Sequence, residues 1–474
     1  MKIQATTTDA YKLFHEGVQA LSNVEANGIR IDTNYLQQAM TDTLDKIRTL
    51  TAQLHSDKIY RRWKKRYGTS FNLDSTVQLG KVLFTDMGYD CPTYTKTGQP
   101  KTDIATLETL NIPFIKIYLE IKNYKKAYST YLKGIEREVS DGYIHPVFNL
   151  HLVQTFRSSS DSPNFQNMPV RNEIMGALIR RCFIPRRSKN HIVELDYSGI
   201  EVHGASWYHL DPVMLNYLRD KSKDMHRDMA QQCYKLPKSE MIPQNKKDAK
   251  RIKKIRYCGK NKFVFPEFYG DWFFSCAPLL WDSIDQLGLV TRKGIPLKKY
   301  LHRKGITHLG KINYDAPIAP DSFIQHIKNV ENHFWNKRFK VYKEWKDQWR
   351  SEYNTNGYVT SLTGFRLGGI MKRNEVINYP VQGTAFHCLL WSLIRLQKLL
   401  RKYRMKTLII GQVHDSIVAD VPSRELKDYL ELANRVMTVD IKKHWKWICT
   451  PIEIEADVAP VGKSWFEKQE YKLN

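Results

Sequence analysis

The spacing of apolar positions changes along the chain. Behind Asp32, the residues Tyr35, Leu36, Ala39, Met40, Leu44, Ile47 and Leu50 recur at helical spacing, with Asp32 placed as an N-cap. Two more helical stretches extend to about Val139, interrupted by a polar, loop-like run from Thr93 to Asp103 that contains Gly98 and Pro100. Asp141-Gly142 then reads as a turn. In the centre the pattern shortens. Ile192-Val193-Glu194-Leu195-Asp196 is brief, apolar and ends in a carboxylate, which predicts a strand. Gly270 to Trp349 is long and mixed, with helices rich in Trp, Phe and Lys. Thr407 to Val413 and Ser416 to Val421 predict a hairpin with His414-Asp415 at its tip. The chain is thus helical at the front, strand-bearing with embedded acids in the middle and end, and basic and helical in between.

A length of 474 residues accommodates two to four packed units. Hydrophobic residues at 42% and aromatics at 12% exclude a disordered chain. The densest apolar stretch, Ala385 to Leu396, is broken by His387, Ser392 and Arg395 and is too short to span a bilayer. The N-terminal Met1-Lys2-Ile3-Gln4 opens no secretion signal. Seven scattered cysteines, an odd number with no C-x-x-C pair, argue against a disulfide framework and for a reducing interior. The net charge of +25 calls for a polyanion, with nucleic acid the first candidate and an anionic membrane surface the second.

Three groups of residues carry candidate chemistry. Arg61, Arg62, Lys64, Lys65 and Arg66 interleave with Trp63 and Tyr67; they suit either a solvated helix face or a surface that tracks a phosphate backbone. Asp196 and Asp415 each close an apolar strand or turn. Singly, such acids cap turns; as a pair they suit a divalent cation, and two Mg²⁺ ions can clamp an in-line displacement at phosphorus. Between them runs a basic helix, Lys246 to Arg256 and on to Lys260. Arg256 and Lys260 lie one turn apart, a spacing suited to a triphosphate or to plain solvation. Phe263, Phe265, Phe268 and Tyr269 follow at once.

From about Val24 onward, seven ordered strings resemble the family A DNA polymerases, the group of bacterial DNA polymerase I and many phage replicases. Val24 to Asp32 is similar to the entry of that family's thumb; Phe71 to Ser75, Gln78-Leu79 and the Thr95 to Gly98 loop are similar to its tip. Arg157 to Asp161 with Pro163 to Arg171 forms a long specific string. Asp196 to Glu201 resembles motif A, Arg256 to Gly270 motif B and Gln412 to Asp415 motif C; Pro380 to Ala385 also fits.

The resemblance implies an α+β right-hand polymerase fold with a helical thumb, an antiparallel-sheet palm and mostly helical fingers. The expected parts are 1–22 as a remnant of an upstream exonuclease-type helix or leader, 23–135 thumb, 136–205 palm, 206–354 fingers and 355–474 palm again. It implies transfer of deoxynucleotides to a primer 3′ end. Asp196, Asp415 and the Tyr197 carbonyl are then the metal ligands, for two Mg²⁺ ions with Mn²⁺ as a substitute. Lys260 acts in catalysis and, with Arg256 and His226, holds the incoming triphosphate. Glu201 gates the ribose and Tyr269 lies beside the nascent pair. Arg157, Gln382 and His414 contact the primer terminus and minor groove, and Asn378 the template side. Partners are primer–template DNA, deoxynucleoside triphosphates and a separate exonuclease or processivity protein, with no membrane. The expected location is the cytoplasm of a bacterium or phage-infected cell.

Departures from the family pattern are Phe156 for Gly, Gly199 for Gln and Ser416 for Glu. Motif B carries one extra residue between Lys260 and Tyr269, so the base-stacking ring is Phe265 counted from Tyr269, or Phe263 counted from Lys260; Phe265 is preferred. Competing readings are a single-subunit RNA polymerase, which Glu201 opposes, and a catalytically silent nucleic-acid clamp, which the retention of both acids opposes. Only Asp9, Glu16 and Glu25 precede the thumb, so no proofreading site is expected in this chain.

Overall fold

A computed structural model describes residues 5–91, 94–95, 98–170, 172–312 and 316–473. Lys96 and Thr97 of the expected thumb-tip loop, Arg171 of the long string and residues 1–4 lie outside the described residues. The first long helix, α1 (Thr7–Asn27), opens with a reciprocal cap in which Thr6 and Asp9 satisfy each other's backbone. Asp32 caps α2 (Thr33–His55) as its position predicts, accepting from the Tyr35 N–H at 2.9 Å.

The centre of the molecule is a five-stranded antiparallel sheet. Its strands are β1 (Asn190–Tyr197), β2 (Leu408–Val413), β3 (Ser416–Pro422), β4 (Ile454–Val458) and β5 (Gln469–Tyr471), in the spatial order β5-β4-β1-β3-β2. The two segments predicted as strands therefore lie side by side, β1 central and β3 next to it. Their register sets Asp196 opposite Ser416 and Glu194 opposite Val418. Since side chains alternate faces along a strand, Glu194 and Asp196 share one face. One large hydrophobic core joins the sheet to the helices around it, including Trp207, Phe263, Phe334, Leu389 and Trp465. A second core, from Leu50 to Ile121 around Trp63 and Tyr118, belongs to the front helices alone.

Three helices matter to the cleft: α3 (Ile200–His209), directly after β1, and α4 (Met225–Cys233) and α5 (Lys246–Gly259), which pack against each other. A fourth, α6 (Arg373–Lys402), packs on α3 and on α1. The expected part boundaries fall inside helices. The one at 22/23 cuts α1, which runs unbroken and docks on β2 and α6: Asn27 Nδ2 donates to the Ile409 carbonyl of β2 at 2.8 Å, and on α6 Gln397 Nε2 donates to the Ala20 carbonyl at 2.9 Å and Lys398 pairs with Glu16 at 2.6 Å. The start of the chain is thus a buttress of the central sheet. Among the described residues no helix is long and apolar enough to cross a membrane.

Candidate active site

A cleft of about 430 Å³ opens over the end of β1, and Asp196, Tyr197, Glu201, Phe265, Tyr269, Asn378, Gln382, His414 and Asp415 all line it. The sheet explains the acids. Asp196 stands at the end of β1, and Asp415 lies in the two-residue turn joining β2 to β3. The preceding His414 holds that turn at φ +50°, a left-handed conformation that a non-glycine residue adopts only when its surroundings impose it. The Asp415 carbonyl accepts from the Tyr197 N–H at 3.4 Å, which ties the turn to β1.

Asp196 is open to the cleft yet flanked by protein. Lost hydration and then the charge of Asp415 push its carboxyl up to about 7. Burial also raises Asp415, against the pull of the Arg157 guanidinium. Two neighbouring carboxylates that resist ionising together are a donor set that fits a divalent cation. Among the described residues no three of His, Cys, Asp and Glu gather closely enough to hold an ion alone, so substrate oxygens or water would have to complete the shell. The Tyr197 hydroxyl is committed to Ser392 at 2.8 Å and the Met437 carbonyl at 3.0 Å, which leaves only its carbonyl for such a role.

Arg157 bridges the floor and one wall, donating to Asp415 at 3.2 Å and Glu201 at 3.4 Å. Tyr269 donates its hydroxyl to the other Glu201 oxygen at 2.6 Å, and Asn378 donates to the Tyr269 carbonyl at 3.2 Å. Gln412 and Gln166 stand behind the turn. Gln412 accepts from Ser158 at 2.7 Å and Gln166 at 2.6 Å, and donates to the His414 carbonyl.

Arg256, Lys260 and His226 lie outside that lining but continue it through Phe265. The Lys260 ammonium is 5.0 Å from the Phe265 ring centre and the His226 ring is 5.5 Å from it, edge-on. Arg256 donates to Asp224 at 2.6 Å. Burial, then Arg256 and Lys260, push His226 down to about 4, so the ring is neutral beside the two cations. α5 reaches α4 because Gly259 has no side chain; a Cβ there would lie 2.6 Å from that of Ala230 and 2.7 Å from the His226 carbonyl.

The extra residue of motif B has a structural solution. Immediately after α5 the helix widens to five-residue spacing over Lys260–Val264, which absorbs one residue without breaking the helix. Phe265 thereby faces the cleft, and Phe263 goes into the core against Phe334 at 5.4 Å. Of the two candidate rings, only Phe265 is placed to meet a ligand.

The departures also have physical reasons. Phe156 sits at φ +57° and Gly199 at φ +62°, both left-handed. Glycine suits such positions. The Phe156 ring is held by Phe365 at 4.9 Å and Phe14 at 6.0 Å. Sequence reasoning missed four charged groups. Asp224, the partner of Arg256, stands two residues before His226. Glu194 was findable from strand alternation with Asp196. Arg180 and Lys468, which line the same cleft, carry no local signal.

A profile of DNA polymerase family A matches residues 37–259 and 326–467. The chain belongs to DNA polymerase family A. It is similar to DNA polymerase I of Lactococcus lactis subsp. cremoris, 27% identical over 464 residues, covering 95% of this chain and 45% of that protein. Against DNA polymerase I of Geobacillus stearothermophilus it is 28% identical over 433 residues, covering 88% and 42%. The thermostable DNA polymerase I of Thermus aquaticus is 26% identical over 466 residues, covering 95% and 47%. The chain therefore spans less than half the length of these relatives. Among solved structures, the POL domain of Pol1 from M. smegmatis, in complex with DNA primer-template and dNTP, superposes with a TM-score of 0.69 at 22% identity, covering 95% of this chain and 70% of that one. The α+β polymerase fold read from the sequence is the fold observed. The match to the family omits 260–325, where the widened turn and the helices after it lie.

Proposed function

We propose that this chain is a template-directed DNA polymerase that extends a primer 3′ end with deoxynucleotides and releases pyrophosphate. The observation that carries the reading is the joining of Asp196 and Asp415, distant in sequence, at the floor of one cleft that Phe265 lines, with Lys260 and Arg256 continuing the surface beyond that ring. Divalent cations, Mg²⁺ or Mn²⁺, bound by the two carboxylates and the Tyr197 carbonyl would supply Lewis-acid stabilisation of the attacking and leaving oxygens. The chain's own groups do the rest. Lys260 and Arg256 neutralise the triphosphate, while neutral His226 donates or accepts without adding charge. Phe265 offers a face for the incoming base. Glu201, fixed by Tyr269 and Arg157, occupies the space a 2′-hydroxyl would need. Arg157, Gln382 and His414 face the primer end, and Asn378 the template side.

In this reading the front helices with their own core are the thumb, the sheet with α1 and α6 is the palm, and α4, α5 and the helices to Asn356 are the fingers. The acids at the front of the chain are already engaged. Asp9 caps its own helix, Glu16 pairs with Lys398, and Glu25 accepts from the Phe148 N–H at 2.7 Å. The chain alone is therefore expected not to trim primers, and a separate exonuclease or processivity protein is the partner to seek.

The test is primer extension with deoxy- or ribonucleotides, and incubation of a mismatched primer with Mg²⁺ and no nucleotide. Template-dependent extension with deoxynucleotides only, and an untrimmed mismatched primer, are expected. Preferred use of ribonucleotides would favour an RNA polymerase. Binding without extension would leave a clamp.

A further inference from the structure

The cleft floor holds a third carboxylate to which the mechanism above gives no role. We propose that Glu194 is a positioning residue for the Asp196–Asp415 pair. It acts through Ser416, is held by the C-terminal residues Trp465 and Lys468, and raises the pair's affinity for a divalent cation. The inference rests on reading that pair as a cation site.

Alternation along β1 puts Glu194 on the face of Asp196, and both line the cleft with Ser416 and Lys468. The two oxygens of Glu194 are used differently. Oε2 accepts from the Trp465 indole N–H at 2.7 Å and from the Lys468 ammonium at 2.7 Å, with Arg180 at 3.8 Å. Among the described residues Oε1 meets only the Ser416 hydroxyl, at 3.3 Å, and that hydroxyl's single proton is shared with the Val413 carbonyl at 2.9 Å. Val413 precedes the His414-Asp415 turn. Glu194 therefore has one saturated oxygen, and a second that retains acceptor capacity beside the residue facing Asp196 in the register.

The latch is built to hold. Trp465 is fully buried, packed on Phe165 at 5.1 Å and Phe183 at 5.6 Å, with the Arg180 guanidinium 3.8 Å from its ring centre. Lys468 divides itself between Glu194 and Asp457, at 2.8 Å. With Arg180 it faces two carboxylates, Glu194 and Asp457, while among the described residues Asp196, Asp415 and Glu201 share the single cation Arg157, so the floor as a whole keeps an excess of negative charge. An oriented outer carboxylate of this kind strengthens ion binding by accepting from cation-bound water and by adding to the local field.

The test titrates Mn²⁺ into the full chain bound to primer–template and reads the free-ion signal by electron paramagnetic resonance. Glu194→Gln is expected to weaken Mn²⁺ binding about tenfold while leaving primer–template affinity and melting temperature near those of the parent. Adding Ser416→Glu to Glu194→Gln places a carboxylate directly opposite Asp196 in place of the lost one and is expected to restore the parent's Mn²⁺ affinity. Unchanged Mn²⁺ binding in Glu194→Gln overturns the inference. So does a parallel loss of melting temperature and primer–template affinity, which would make Glu194 a structural prop, and so does failure of the double variant to recover. Asp196→Asn is the separate control. If it still binds Mn²⁺ like the parent, the reading of the pair as a cation site fails, and the inference fails with it.

Discussion

Asp196 and Asp415 are carried by neighbouring strands paired over seven residues, whereas Arg256 and Lys260 ride one helix at the point where its turn widens. The sheet fixes the separation of two like charges that would otherwise part. The helix only has to project two like charges one turn apart, and it can absorb an extra residue in doing so. Each side has an internal counter-charge in direct contact: Arg157 on Asp415, and Asp224 on Arg256. Each set of charges is therefore held in place before substrate arrives yet left short of neutral. An acidic floor facing a cationic wall across an aromatic ring suits a metal–triphosphate, and neither half alone would.

The largest effect on the wall is expected at Lys260. It is half-buried next to Phe265, while Lys247 is exposed at the far end of α5. Lys260→Ala should lower kcat/KM for nucleotide about a hundredfold, and Lys247→Ala should change it less than about twofold, because a charge in a water-poor site matters more than a solvated one. Equal losses in steady-state extension would reduce the helix to a diffuse basic face.

Next comes the link between the two sides. Glu201→Ala removes the group bonded to both Arg157 and Tyr269, and should lower the deoxy-over-ribo ratio of specificity constants at least about tenfold. Competition assays with both sugars measure that ratio directly, and an unmoved ratio would place the gate elsewhere.

A third prediction concerns how the wall is mounted. Gly259→Ala pushes a methyl into Ala230 and the His226 carbonyl, and should cost about 1–3 kcal/mol in stability. Denaturant melts would show it; a neutral result would mean that α4 and α5 can part freely.

The smallest effect is a pH slope in the packing behind the wall. Glu267 is buried against Trp335, which donates to it at 2.8 Å, and burial followed by Glu331 pushes it up to about 8. An ordinary Glu titrates near 4.5. The fold thus retains a proton that the unfolded chain releases, and the stability Glu267 contributes below pH 4.5 is lost as pH rises through about 8. Glu267→Gln keeps an acceptor for Trp335 and should flatten the fall in melting temperature between pH 5 and 8. Lys346, over Trp335 at 3.2 Å, and Glu331 share the charge field of Glu267, so the change in slope reads Glu267 together with the two groups that titrate against it. An identical slope would show that Glu267 is ionised in the fold.

Much of this cleft was legible from local rules. Short apolar runs and the turn between two of them located β1 and the β2–β3 hairpin, so Asp196 and Asp415 could be paired from the sequence. Helical spacing placed Arg256 and Lys260 together. Contacts made by tertiary packing were not legible. No local pattern announces that Lys468 and Trp465, near the end of the chain, reach Glu194. Nor does one show that α1 docks on α6, because its exposed and buried positions differ only by which partner arrives. The choice between Phe263 and Phe265 turned on one widened helical turn, which composition does not encode. The left-handed backbone at Phe156 and His414 was equally hidden, since neither residue favours it.

The most direct test of the account separates binding from chemistry in one protein. Asp196→Asn and Asp415→Asn, each measured for primer–template affinity and for single-turnover extension, should bind within about threefold of the parent, because binding rests on the basic surface. Extension should fall more than about a thousandfold, because the floor can no longer hold a cation. Binding and extension falling together, or extension persisting in either variant, would contradict the reading of these two acids as the centre of the reaction.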